Sequence, residues 1–221
     1  KTDFIKLKEG YTRINVKLKT ATETEINASG PKICESDLEK LYKKLDKLKR
    51  NDILIISGSV PKTVSCDIYS EILERLSKKR VSFVIDATKD LLKTTLKYKP
   101  LLIKPNIYEL EEIFDKKFSN DADIISAALK LKEMGALNVL VSLGENGAIL
   151  IDENGFTKKC EPIKINPIDT TGAGDSMVAG FIAGLKNGYD YALNLGNACG
   201  AATAASLGIA SKDLIYKLFK P

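Results

Sequence analysis

Short apolar runs alternate with stretches of helical periodicity through most of this chain, and that alternation constrains its fold more than any other feature. Ile53-Leu54-Ile55-Ile56 is one continuous run, and residues 81–85, 101–103 and 139–142 repeat the pattern. Such runs mark strands buried on both faces. Between them, residues 35–49 place Leu38, Leu41, Leu45 and Leu48 at helical spacing, with Ser36 as the expected cap. Further helices are expected at 64–78, 89–97, 108–114 and 121–134. Strand, helix, strand in this order predicts βαβ units and a mostly parallel sheet. Residues 148–151 and 156–160 flank Glu153-Asn154-Gly155 and predict a hairpin, and the last third reads as helices at 174–186, 189–207 and 212–219.

The first thirty residues differ. Phe4-Ile5-Lys6-Leu7, residues 13–19 and, more weakly, residues 22–27 alternate with period two, with Glu9-Gly10 as a turn. A ribbon of this kind is expected to be half buried and to cover something. The chain thus divides into a β segment at 1–30 and an α/β core at 31–221.

Composition narrows the chemistry. The 221 residues contain no histidine and four scattered cysteines, Cys34, Cys66, Cys160 and Cys199. Histidine bases are therefore excluded, and a zinc site is not expected. Acid–base work falls to Asp, Glu, Lys, Tyr or Cys. The net charge of +5 is spread over solvated helix faces such as 40–50, without an aromatic-interleaved basic stripe. A nucleic-acid partner is not expected, and the balance suits anionic substrates. No apolar run has the length of a membrane span and no export signal opens the sequence, so a cytoplasmic protein is expected. The chain opens at Lys1, not at methionine.

Four strand-to-loop junctions carry residues suited to chemistry. Asp169-Thr170-Thr171-Gly172-Ala173-Gly174-Asp175-Ser176 sets small residues at the mouth of a helix, where backbone N–H groups and the helix dipole make an anion pocket. Asp175 inside such a pocket repels phosphate unless it acts as a base toward an attacking hydroxyl; a helix cap is the bland reading, outweighed by the length of the run. Ser142-Leu143-Gly144-Glu145-Asn146-Gly147 suits a turn under a nucleotide, or an ordinary strand turn. In Lys104-Pro105-Asn106-Ile107-Tyr108-Glu109, Lys104 suits a phosphate, while Asn106 and Glu109 suit either Mg²⁺ held through water or a capping box; the residues alone favour the box. Ser57-Gly58-Ser59-Val60-Pro61 suits a sugar phosphate or a plain turn.

In this order, the segments resemble the PfkB group of ribokinase-like carbohydrate kinases over essentially the whole chain. The run from Asp169 through Phe181 carries the group's second signature. Thr12-Arg13-Ile14-Asn15-Val16-Lys17 and Glu23-Thr24-Glu25-Ile26-Asn27 are similar to its bacterial 1-phosphofructokinase branch, and the tagatose-6-phosphate kinases share much of the pattern. The resemblance implies a ribokinase-like three-layer α/β sandwich, with part of a β-lid at 1–30 and the nucleotide-binding core at 31–221. It implies ATP-dependent phosphorylation of a sugar phosphate: fructose 1-phosphate to fructose 1,6-bisphosphate, with tagatose 6-phosphate or fructose 6-phosphate as the alternative substrates.

It further implies Asp175 as catalytic base and Gly172, Ala173 and Gly174 as anion hole. Lys104, Asn106 and Glu109 correspond to the ATP–Mg²⁺ segment, Ser142, Gly144 and Gly147 to the nucleotide loop, and Asn197 to the adenine side. Arg13 corresponds to a lid arginine that meets the substrate phosphate, with Ser57 and Ser59 nearby. Also implied are a monovalent cation such as K⁺ near the Asp169–Thr171 loop and a homodimer through the lid. Two departures stand out. Lys62-Thr63 replaces the usual Pro-Gly, and the group's first βαβ units, early substrate aspartate and Gly-Gly motif have no counterpart. On that reading the chain begins inside the lid, its sheet lacks strands and its sugar pocket lacks a wall. The competing expectation is a catalytically silent nucleotide-binding fragment.

Overall fold

A computed structural model describes residues 2–19 and 23–220. Strands β3 (Ile53–Ser57), β4 (Ser82–Asp86), β5 (Leu102–Ile103), β6 (Val139–Ser142), β7 (Ala148–Ile151) and β8 (Thr157–Cys160) form one sheet in sequential order. β3 to β6 are parallel, and β6–β7–β8 are antiparallel. Sequential parallel order with right-handed crossovers puts every crossover helix on one face. Those helices are α2 (Ile68–Leu76), α3 (Lys89–Lys93), α4 (Ile107–Phe114) and α5 (Asp121–Glu133), joined there by α1 (Glu35–Leu45). The opposite face is left for the C-terminal helices α6 (Ala173–Gly184) and α7 (Tyr189–Ala204), with α8 (Lys212–Leu218) after them.

The strand periodicity divides the core in two. Phe83, Ile85, Ile103, Val139, Val141, Ile149 and Ile151 pack with the crossover helices, whereas Val84, Leu102, Leu140 and Leu150 pack with Met177, Val178 and Phe181 of α6 and Leu193 of α7. Helix, sheet, helix is the expected three-layer sandwich. α6 and α7 pack at backbone distance: a Cβ at Gly180 would lie 2.7 Å from Cys199 Sγ and 2.8 Å from the Leu195 carbonyl oxygen.

The N-terminal strands β1 (Asn15–Lys19) and β2 (Glu23–Asn27) form a separate antiparallel ribbon with Val16 opposite Ile26. Thr22, read as part of the second strand, lies outside the described residues. Contrary to expectation, the ribbon's apolar row is exposed: Ile14, Val16, Leu18 and Ile26 are 42–67% accessible.

A second correction concerns β3. Leu54 and Ile56 pack into the core, but Ile53 and Ile55 are 42% and 46% accessible. β3 is an edge strand, and none of its residues joins the buried cluster on the α6–α7 side, so that face of β3 is open.

Other expectations fail locally. Residues 4–7 form no strand, having no partner, and Phe4 is exposed. Ser36 does not cap α1; Cys34 occupies the N-cap without a side-chain cap, and Ser36 lies within the helix. The helix expected from 64 starts at Ile68, because Val64 N–H closes a turn on Pro61. The helix expected over 89–97 stops at Lys93 and continues as a 3₁₀ turn, Leu96–Tyr98.

Candidate active site

Period two along neighbouring parallel strands brings their last residues to one side. Ser57 pairs with Asp86, and Ile55 with Val84 of the α6-facing core. Lys104 follows Leu102 by two, and Ser142 follows Leu140 by two, so all four polar residues reach the α6 face at the carboxyl ends of β3–β6. Ligands of open α/β sheets bind at such ends.

α6 opens onto this row. Gly172 is its N-cap at φ 77°, a left-handed backbone that glycine adopts without strain, and no side chain caps the helix. Ala173 N–H donates to the Thr170 carbonyl at 3.1 Å and Ser176 N–H to that of Gly172 at 2.9 Å. Among the described residues, the N–H groups of Gly172, Gly174 and Asp175 have no backbone acceptor, so the mouth presents donors and the positive end of the helix dipole. Thr171 N–H donates to Asp169 Oδ1 at 3.0 Å, which shapes the preceding loop.

Lys104 is almost fully buried, and its ammonium lies 3.4 Å from Asp86 Oδ1. It also lies against α6: a Cβ on Gly174 would be 3.2 Å from Lys104 Nζ. Glycine at 174 therefore leaves the space that the ammonium occupies. Asp86, which the strand reading stopped one residue short of, is the functional candidate missed in the sequence. Burial, aided by the charges of Glu109 and Asp175 and opposed by Lys104, raises its pKa above the ordinary carboxylate value of 3.8. Ser57, Asp86 and Asp175 line one small cleft of about 130 Å³, with Ile55, Val178 and Ala179 as its apolar side.

Asn106 and Glu109 make the reciprocal capping box of α4: Asn106 N–H donates to Glu109 Oε2 and Glu109 N–H to Asn106 Oδ1, both at 2.8 Å. The box fixes the Glu109 carboxylate at the start of α4, beside the Asp86 region. Asn106 also bridges to Ser142, and Ser142 N–H donates to the Pro105 carbonyl at 3.1 Å, so the second and third junctions are one structure. Gly144 begins a 3₁₀ turn ending at Asn146. Gly147 has φ 84°, and a Cβ there would lie 2.5 Å from the Cys160 carbonyl oxygen.

Arg13 Nη1 donates to Ser59 Oγ at 2.9 Å and Nε to Asn15 Oδ1 at 2.8 Å, so the ribbon touches the loop after β3. Asn197 is different. Its side-chain amide donates to the Glu161 carbonyl at 2.9 Å and ties α7 to the segment after β8; no contact brings it to Lys104, Asp86 or Asp175.

The donor set fits a divalent cation arriving with phosphates rather than a resident metal. Asp86, Glu109 and Asp175 are close enough to act electrostatically on one another, and hard carboxylate oxygens suit Mg²⁺. Among the described residues, however, no three such side chains gather into a metal-ligand group.

Comparison with known proteins places the chain among carbohydrate kinases. The family model for pfkB family carbohydrate kinases matches residues 1–214. A 1-phosphofructokinase from Borreliella burgdorferi is 42% identical over 92% of this chain and 67% of its own length. A D-tagatose-1-phosphate kinase from Bacillus licheniformis is 34% identical over 94% of this chain and 69% of its own. Among solved structures, phosphofructokinase-2 from Escherichia coli in complex with potassium superposes with a TM-score of 0.86 at 26% identity, over 95% of this chain and 71% of that one. The chain thus spans about two thirds of the length of these relatives. With the family signature, the sheet order and the glycine-lined helix mouth in agreement, the chain belongs to the PfkB family of carbohydrate kinases.

Proposed function

We propose that this chain carries the phosphoryl-transfer site of an ATP-dependent sugar-phosphate kinase, with fructose 1-phosphate as acceptor and fructose 1,6-bisphosphate as product. The observation that carries the reading is the buried Lys104 ammonium packed against Gly174 at the uncapped mouth of α6, beside Asp175. A phosphoryl group in flight bears its charge on oxygens. The cation and the N–H groups of Gly172, Gly174 and Asp175 are aimed where that charge would lie.

In this reading Asp175 accepts the proton of the sugar's primary hydroxyl as its oxygen attacks the γ-phosphorus and the bond to the ADP oxygen breaks. With no histidine in the chain, the carboxylates at the site are the ready bases. Lys104 holds ATP phosphate oxygens, while Asp86 and Glu109 hold Mg²⁺ through its waters. Bound Mg²⁺ neutralises phosphate charge and orients the transferred group. Ser142, Gly144 and Gly147 support the nucleotide; Asn197 acts by holding α7 in place. Arg13, now on Ser59, takes the sugar's phosphate, with Ser57 and Ser59 beside it.

The ribbon at 1–30 serves as a lid that excludes water from the site, and its exposed apolar row is the face of a homodimer. A monovalent cation beside the Asp169–Thr171 loop accords with the potassium named for the E. coli neighbour.

Two observations bear on alternatives. The B. licheniformis relative is named for tagatose 1-phosphate, which makes that sugar the second acceptor to test. The open face of β3 favours a competing outcome, nucleotide binding without turnover. ADP release from MgATP with fructose 1-phosphate, tagatose 1-phosphate, tagatose 6-phosphate and fructose 6-phosphate separates these. Highest kcat/KM with fructose 1-phosphate is expected. A faster reaction with another sugar moves the substrate, and ATP binding without ADP release supports the silent fragment.

A further inference from the structure

A cleft larger than the one beside Asp175 lies away from the catalytic end. A concavity of about 420 Å³ lies at the opposite end of the sheet, where β4 and β5 begin. That volume falls within the range of about 300–1,000 Å³ usual for small-molecule sites. β4 runs from Ser82 at this cleft to Asp86 at the active site, so roughly 13 Å of strand separates them.

Its walls are cationic. Arg80, Lys97 and Lys99 all line it, and no Asp or Glu does. Elsewhere on the surface basic side chains commonly meet acids, as in Arg75–Asp46, Lys89–Glu112 and Lys116–Asp123. None of Arg80, Lys97 and Lys99 forms an ion pair with a described carboxylate.

Two of the three are also fixed by their backbones. Arg80 (φ 56°) and Lys99 (φ 52°) are left-handed residues ending the 3₁₀ turns Ser77–Lys79 and Leu96–Tyr98. Asn51 N–H donates to the Arg80 carbonyl at 3.2 Å, and Lys99 N–H to that of Leu96 at 2.9 Å. Both turns are anchored, so the two cations leave the backbone from set points at the cleft. Phe83 and Leu101 give it an apolar floor and Tyr98 also lines it, with Lys97 Nζ 5.0 Å from the centroid of the Tyr98 ring. Three like charges held around one concavity repel each other, and an anion with several oxygens relieves that repulsion.

We infer that this cleft is a second anion site, distinct from the catalytic one, which takes a phosphorylated small molecule. The phosphate sits among Arg80, Lys97 and Lys99, and any ring or apolar part lies over the floor beside Tyr98. Inorganic pyrophosphate and a nucleotide share that chemistry, and the test separates them.

The experiment is lysine acetylation of the full chain, read by mass spectrometry at each lysine, with no addition, with pyrophosphate and with ATP. It is run at about 0.15 M salt, where diffuse surface attraction is screened beyond roughly 8 Å. Acetylation of Lys97 and Lys99 is expected to fall several-fold on addition, while the nearby exposed Lys78 and Lys93 stay unchanged. Protection by both compounds identifies the phosphate group as the determinant; protection by ATP alone assigns a part to the ring. In the double variant Arg80→Asn/Lys99→Asn, asparagine keeps the left-handed backbone but removes two charges. Its Lys97 protection should need at least about tenfold more ligand, since two of the three cations around the phosphate are removed. Equal labelling with and without both compounds, uniform fading at every exposed lysine, or unchanged protection in the double variant would overturn the inference.

Discussion

Asp86 shows how a single side chain is shaped by position. It closes a buried strand, faces Lys104, and lies within the field of Glu109 and Asp175, and the net result is a pKa above the ordinary 3.8. The sign of the linkage follows. Between 3.8 and the raised value, the folded chain holds a proton that the unfolded chain has released. Stability from this group is therefore present below 3.8 and is lost as pH rises through the folded pKa. Asp86→Asn does not titrate, so the melting temperature of the native chain relative to the variant should decline as pH rises from about 3.8 through that window, then level off. Thermal melts at a series of pH values check this; a flat or rising difference contradicts it. The same residue marks a limit of the sequence. The run from Asp169 to Ser176 was legible because its length is specific, whereas one carboxylate after an apolar strand has no pattern. Period two from Val84 was the available signal, and ending the strand at 85 discarded it. Asn106 and Glu109 were legible as a capping box from spacing alone, and the structure makes that box.

At the scale of elements, α6 and α7 pack closely enough at Gly180 that no side chain fits there. Gly180→Ala gains about 1 kcal/mol in helix propensity. Its Cβ would meet Cys199 Sγ at 2.7 Å and the Leu195 carbonyl at 2.8 Å, and overpacking of this kind costs about 1–3 kcal/mol. The clash with backbone cannot be relieved by a rotamer, so the cost falls in the upper part of that range, about 2–3 kcal/mol; a net loss of about 1–2 kcal/mol is expected in urea unfolding, and no loss would contradict the packing. Strands and helices with several periodic apolar residues were legible, including the β7–β8 hairpin at Glu153-Asn154-Gly155. Segments failed where a partner, not a pattern, decides: residues 4–7 alternate but have no neighbouring strand, and residues 64–67 enter a turn begun at Pro61.

At the scale of the molecule, the apolar surfaces left exposed among the described residues include the ribbon row of Ile14, Val16, Leu18 and Ile26, and Ile53 with Ile55 on β3. The sequence showed both as hydrophobic but not which face each would leave open, because that depends on what covers them. Full burial of one such side chain contributes about 1.5–3 kcal/mol, enough for a few of them to drive association. If the ribbon row is the dimer face, the native chain should sediment as a dimer and Val16→Lys/Ile26→Lys as a monomer with unchanged far-UV circular dichroism. A native monomer, or a variant that still dimerises, removes the ribbon from that role.

The proposed phosphoryl transfer turns on Asp175 in the first turn of α6. The most direct test is ADP release from MgATP and fructose 1-phosphate by the native chain and by Asp175→Asn, with ATP affinity measured in both. Turnover by the native chain, a loss of about 10²–10⁴-fold in the variant and little change in ATP affinity is the result expected of a base. Equal rates in the two proteins, or no turnover by the native chain, would contradict it.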